Sequence, residues 1–153
     1  DMHSEYAGMG TTIVICYMDG KNTYVSHVGD SRAYLYKDTL KQITADDTFV
    51  NELVKRGLIN EEEASHHPKR NVLVQAIGIK EALRISFYKI EEDYRAILLC
   101  SDGLYNSLSS QQIEEILQKN ASVDQKTECL IQSANEFGGL DNIGVLLIEK
   151  GEA

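Results

Sequence analysis

Ala96-Ile97-Leu98-Leu99-Cys100-Ser101-Asp102-Gly103 decides how this chain is read. Five apolar residues without a polar interruption fit a central strand buried on both faces. Ser101-Asp102-Gly103 ends the run and leaves a carboxylate at its mouth. The pattern returns twice. Val28-Gly29-Asp30-Ser31-Arg32 separates two alternating segments, and Gly138-Gly139-Leu140-Asp141-Asn142 precedes the apolar run Ile143 to Ile148. Taken singly, each aspartate is ordinary turn or helix-cap chemistry. Gathered carboxylates, however, repel one another unless cations neutralise them. Oxygen donors without histidine or thiolate favour Mg²⁺ or Mn²⁺ over zinc. Asp102, Asp141 and Asp30 are therefore the candidate metal ligands.

Outward from that run, the periodicity assigns the remaining elements. Thr11 to Met18 reads as a strand, Asp19-Gly20-Lys21-Asn22 as a hairpin turn, and Thr23 to Val28 as the returning strand. Arg32 to Tyr36 and Leu40 to Ile43 continue what reads as one antiparallel meander. Phe49, Val50, Leu53 and Val54 recur at helical spacing, with Gly57 as the stop. Asn60 and Glu63 cap a short helix through Glu61 to Ser65, halted by Pro68. Asn71 to Ile77, Leu83 to Ile90 and Arg95 to Ser101 read as strands. Ser109 with Gln112 opens a helix ending near Asn120, and a second helix runs from Val123 to Phe137 before Gly138-Gly139. Ile143 to Ile148 is the last strand. Antiparallel strands with helices in separate blocks define an α+β fold.

Composition narrows the function. At 153 residues with 42% hydrophobic and 25% charged residues, the chain suits a single globular domain. A net charge of -9 argues against nucleic acid, whose phosphates need clustered Lys and Arg; Lys69-Arg70 is a dense basic pair, and two residues do not make a groove. No apolar run approaches the ~20 residues of a membrane span, and the N-terminus carries no signal-peptide pattern. Three cysteines without paired spacing read as reduced core thiols, which places the protein in the cytoplasm.

Several tempting motifs fail. Gly29-Asp30-Ser31-Arg32-Ala33 is one residue from a nucleophile elbow, but a strand follows it instead of a helix. The histidines are His3, His27, His66 and His67, so a Ser-Asp-His order is impossible in the C-terminal half. Cys100 has no arginine in positions 101 to 107 to cradle a phosphate. His66-His67-Pro68 reads as a helix-terminating turn, because adjacent side chains diverge.

As a set, six segments resemble the metal-dependent protein phosphatases (PPM, or type 2C, serine/threonine phosphatases), bacterial members above all. They are Met9 to Thr12, Val28 to Leu35, Ile43 to Thr48, His67 to Leu73, Leu98 to Leu104 and Gly139 to Ile143, in the family's order. The resemblance runs from about Ala7 to Glu149. It implies an αββα sandwich of two antiparallel sheets flanked by helices. It implies two catalytic Mn²⁺ or Mg²⁺ ions whose shared water attacks phosphoserine or phosphothreonine, so no side chain of this chain is the catalytic nucleophile. By resemblance Asp102 and Asp141 hold one catalytic metal, and Asp30 with Asp102 holds a third. Thr48 to His66 corresponds to the flap beside the active site, and Asn71 is a candidate for a water-mediated contact. Phosphoproteins, and a serine/threonine kinase opposed by the enzyme, are the implied partners.

The departures shape the expectation. The family's phosphate-binding arginine and the aspartate bridging both catalytic metals belong to an N-terminal segment without counterpart in these residues. Asp-His before the flap reads Asp46-Asp47, and the final Asn-Ile-Thr reads Asn142-Ile143-Gly144. Residues 1–153 are accordingly expected to be the C-terminal portion of one phosphatase domain, inactive or nearly so alone. The alternatives are a non-catalytic phosphatase-like module for binding or regulation, and a plain Ca²⁺- or Mg²⁺-binding domain.

Overall fold

The computed structural model describes residues 8–79, 82–139 and 141–151; Leu140, within the third aspartate turn, lies outside them. The elements are β1 (Ile13–Met18), β2 (Thr23–Val28), β3 (Arg32–Tyr36), β4 (Leu40–Gln42), α1 (Phe49–Lys55), α2 (Glu61–His66), β5 (Ser86–Ile90), β6 (Ala96–Cys100), α3 (Asp102–Tyr105), α4 (Ser110–Leu117), α5 (Val123–Glu136) and β7 (Val145–Glu149). They build two antiparallel sheets, ordered β1-β2-β5 and β4-β3-β6-β7.

β6 is central and buried at every position, as its unbroken apolar run requires. Its period-two alternation explains why both faces must be apolar. Ile97 and Leu99 join Val25, Ala33, Leu35 and Tyr94 in the core between the sheets. Ala96, Leu98 and Cys100 join Ile113, Ile116, Leu117 and Leu130 under α4 and α5. Both of those helices begin at a reciprocal capping box, Ser109 with Gln112 and Ser122 with Gln125.

The expected single meander divides in two. β1 and β2 form a hairpin in one sheet, whereas β3 and β4 belong to the other. The switch falls at Gly29, whose φ of 106° suits glycine and whose N–H turns to Asp47 Oδ2 at 2.9 Å. A Cβ there would lie 2.3 Å from Thr12 Cγ2.

Asn71 to Ile77 is not a strand. Only the isolated bridges Thr48↔Leu73 and Thr11↔Ile77 form along it. β5 begins at Ser86 instead of Leu83, because the Gln75 amide satisfies both backbone groups of Arg84, at 3.0 and 2.8 Å. The last strand starts at Val145, since Gly144 is held by Ser101. The four-residue α3 went unread in the sequence: one turn offers no periodicity.

α4 and α5 cover the outer face of the second sheet, while among the described residues the outer face of the first is apolar and open. Ile13, Ile15, Tyr17 and Phe87 are 39%, 48%, 60% and 67% exposed. Tyr17, Tyr24 and Phe87 stack in a ladder with centroids 6.2 and 5.4 Å apart. A contiguous apolar patch of this kind on an edge-bearing sheet favours self-association. The isolated chain should therefore show concentration-dependent association in sedimentation velocity, and Ile15→Lys with Phe87→Lys should shift it to monomer. A wild-type chain that stays monomeric over a broad concentration range would contradict this.

Candidate metal centre

The antiparallel register carries the three aspartates to one end of the second sheet. Arg32 pairs with Cys100, and Cys100 with Val145. The start of β3, the end of β6 and the start of β7 are thus neighbours, and Asp30, Asp102 and Asp141 belong to the segments flanking them.

Ser101 fastens two of these segments together. It is the N-cap residue of α3 but makes no side-chain cap bond there. Its Oγ donates to Asn142 O at 3.1 Å and accepts from Gly144 N–H at 2.8 Å, and its own N–H donates to Gly144 O at 3.0 Å. α3 therefore starts hard against the Asn142 turn: a Cβ on Gly103 would lie 2.4 Å from Asn142 O. The third segment is tied in by Tyr105, whose hydroxyl donates to Asp30 O at 3.1 Å.

The carboxylates differ in their surroundings. Asp30 is half-buried, and desolvation first, then the charges of Asp102 and Asp46, hold its carboxyl above the usual range. Asp141 is exposed, and its Oδ1 accepts the Asn142 N–H at 2.7 Å. Among the described residues no group of three or more His, Cys, Asp or Glu converges on one point. Asp30 thus feels the charge of Asp102, while Asp141 shares their end of the sheet without closing on them. The surroundings of Asp30 fit a hard divalent cation, because a cation bound to its oxygens offsets both the burial of its charge and the repulsion from Asp102 and Asp46.

Beside this edge lies a cavity of about 540 Å³, lined by Asp30, Arg32 and Asp46 on one side and by Asn51, Val54, Ser65, Arg70 and Asn71 on the other. The expected flap, Thr48 to His66, is α1 and α2 and forms its far wall. Arg32 lies at the mouth, clamped to Asp46 with Nη2–Oδ2 at 2.7 Å and Nε at 3.0 and 3.1 Å. Asp46 and Arg32 stand out only in the structure, because their pairing spans a loop and two elements.

Other candidates resolve as structural groups. Cys16, Cys100 and Cys129 are free thiols, and desolvation pushes the buried Cys100 up to about 12. His67 Nδ1 accepts the Lys69 N–H at 3.0 Å, the turn expected after α2. No helix among the described residues is long and apolar enough to cross a membrane.

Comparison with known proteins gives this arrangement a family. Residues 2–136 match the sequence profile of protein phosphatase 2C. The chain is 39% identical over 145 residues to serine/threonine phosphatase Stp of Listeria welshimeri, covering 94% of this chain and 58% of that protein. It is 41% identical over 152 residues to protein phosphatase PhpP of Streptococcus pneumoniae, covering 96% and 61%. The Streptococcus agalactiae serine/threonine phosphatase structure superposes with a TM-score of 0.88 at 37% identity, covering 96% of this chain and 62% of that one. The catalytic domain of serine/threonine protein phosphatase PstP, solved with two manganese ions, superposes at 0.81 with 36% identity, covering 95% and 61%. The chain belongs to the protein phosphatase 2C family, with its α+β sandwich of two antiparallel sheets and helices. It spans about three-fifths of the length of these relatives.

The Gly103 contact is testable. Gly103→Ala should destabilise the fold by ~1–3 kcal/mol in urea unfolding, because backbone has to move to admit the methyl group. Gly144→Ala is the matched control: its Cβ would meet only the Ser101 side chain, Oγ at 3.6 Å and Cβ at 3.8 Å, both ordinary contacts. Equal effects at both positions would remove the argument for a close approach at α3.

Proposed function

We propose that residues 1–153 form the C-terminal portion of a metal-dependent phosphatase domain that hydrolyses phosphoserine and phosphothreonine in proteins. The observation that carries this reading is the strand register that brings the Asp30 and Asp102 segments to one end of the second sheet, beside a cavity lined by Asp30 and walled by the flap. Family membership and the names of the relatives support the chemistry. Mn²⁺ or Mg²⁺ is the cation, and the manganese-bound PstP domain supports that choice. The bound cation supplies Lewis acidity and an activated water for attack on phosphorus.

The chain's own residues hold and orient. Asp102 and Asp141 would hold one catalytic cation, and Asp30 with Asp102 would hold a third. Ser101 keeps the Asp102 and Asn142 segments in register. The cavity between Asp46 and Asn71 receives the peptide around the phosphoresidue, with Asn71 as a contact through water. Free thiols support a reducing compartment, the cytoplasm, where a serine/threonine kinase would supply the substrates. A binding or regulatory module without turnover is the second reading, favoured by the outward-facing Asp141.

Alone, the chain should bind divalent cations weakly and should not turn over p-nitrophenyl phosphate with Mn²⁺; robust turnover would overturn its catalytic incompleteness. In a longer form carrying the rest of the domain, Asp102→Asn and Asp141→Asn should each cut kcat at least ~100-fold, about 2.7 kcal/mol of transition-state stabilisation, and raise the Mn²⁺ requirement. Asp38→Asn is the control: its partner is Arg95 at 3.3 Å in an exposed pair. Near-normal rates in the Asp102 and Asp141 variants would make these aspartates turn residues and leave the binding module standing. Changes at Lys55 or Arg56 of the flap should lower activity on phosphopeptides more than on an aryl phosphate, and equal losses on both would make the flap a support for the core.

A further inference from the structure

We propose that Arg32 is a positioning residue that locks the loop leading to the flap, the start of β3 and helix α3 into one wall, so that Asp30 and Asp102 keep a common edge. The proposal rests on the reading of those two aspartates as metal ligands.

Arg32, the first residue of β3, ties its own strand to two other segments. Its Nε and Nη2 hold both oxygens of Asp46, the residue that leads into Thr48, the N-cap of α1. Its Nη1 donates to Tyr34 OH at 3.1 Å within β3. Its guanidinium carbon lies 3.5 Å from the ring centroid of Tyr105, the last residue of α3. Tyr105 closes the circuit by donating to Asp30 O. Asp46 extends it on the other side, accepting from Gln42 Nε2 at 3.0 Å on its Oδ1 and from Asn51 Nδ2 at 2.5 Å on its carbonyl. A single fork therefore joins α1, β3 and α3.

The geometry separates this role from two others. A phosphate-binding arginine needs a free fork, but here the bidentate edge is spent on Asp46 and one face is covered by Tyr105. A purely electrostatic role would make Arg32 a local cation that opposes metal binding, so its removal would tighten Mn²⁺. Positioning demands the reverse: loosening the wall separates the aspartates and weakens Mn²⁺. Lysine keeps the charge but not the planar fork or the stacking, so it discriminates between the two.

Two readouts on the chain itself test this. The first is amide hydrogen exchange of segments 44–54 and 102–106 without metal, with the β1–β2 hairpin as the fold control. Arg32→Lys should lower protection in both segments together, about tenfold, and leave the hairpin unchanged. Asp46→Asn should reproduce the pattern, and the double variant should add little, as expected for partners in one interaction. The second readout is Mn²⁺ affinity by titration calorimetry, which should fall about tenfold in both Arg32→Lys and Arg32→Met. Unchanged exchange in the two segments overturns the proposal. So does tighter Mn²⁺ binding by Arg32→Met together with wild-type binding by Arg32→Lys, which would assign Arg32 a charge effect. If Mn²⁺ affinity is the same in Asp102→Asn as in wild type, the ligand reading fails, and the exchange result still decides whether Arg32 locks the wall.

Discussion

The burial of β6 on both faces is the constraint on which the rest depends. Its side chains belong alternately to the core between the sheets and to the core under α4 and α5. Each fully buried Leu or Ile there contributes about 1.5–3 kcal/mol. A one-residue slip against β3 or β7 would exchange the two cores, so the register is fixed. Fixing it also fixes where the strand ends. Ser101 and Asp102 emerge at the end of the sheet where β3 and β7 begin, so the site's geometry follows from a hydrophobic decision made at Leu98 and Leu99.

A second layer of polar contacts then sets the edge. Ser101 forgoes capping α3 in order to bridge Asn142 and Gly144, and Gly103 leaves no methyl group to keep the two segments apart. On the opposite side, Asp47 accepts from Gly29 N–H at 2.9 Å and Gln75 Nε2 at 2.7 Å, anchoring the point where the chain changes sheets. Asp46 and Asp47 are adjacent yet serve different partners: one meets Arg32, the other holds the Gly29 crossing. The edge is thus assembled from short connections whose backbone groups are met by side chains.

What the sequence disclosed follows the strength of its signals. β2, β3, α1 and α5 fall within a residue of their expected bounds, because period and caps agree there. The unbroken Ala96–Cys100 run correctly announced a central strand. Val72, Val74 and Ile77 mimic a strand, whereas Gln75 is spent on loop contacts to Asp47 and Arg84. The division of the meander was hidden, since alternation within β2 and β3 cannot say that they lie in different sheets. At the site, strand-end aspartates were conspicuous in sequence, and their shared end of the sheet came from resemblance. The Arg32–Asp46–Tyr105 circuit had no local signature, as its members are brought together only by the pairing of β3 with β4 and with β6.

Asp30 shows what the arrangement does to stability. Its raised pKa means that the folded state disfavours its charge relative to the unfolded chain. Its contribution is therefore most favourable below the ordinary carboxylate pKa and is lost as pH rises through the higher folded value. At neutral pH the metal-free fold carries this penalty, and Arg32 offsets only part of it, because its fork is engaged with Asp46. A bound divalent cation would reverse the balance by favouring the ionised carboxylates. Burial first, and repulsion from Asp102 and Asp46 second, make the ionised Asp30 costly, and a cation would offset both. The fold tolerates it because β6 and the polar ties around Ser101 and Arg32 prevent the carboxylates from moving apart.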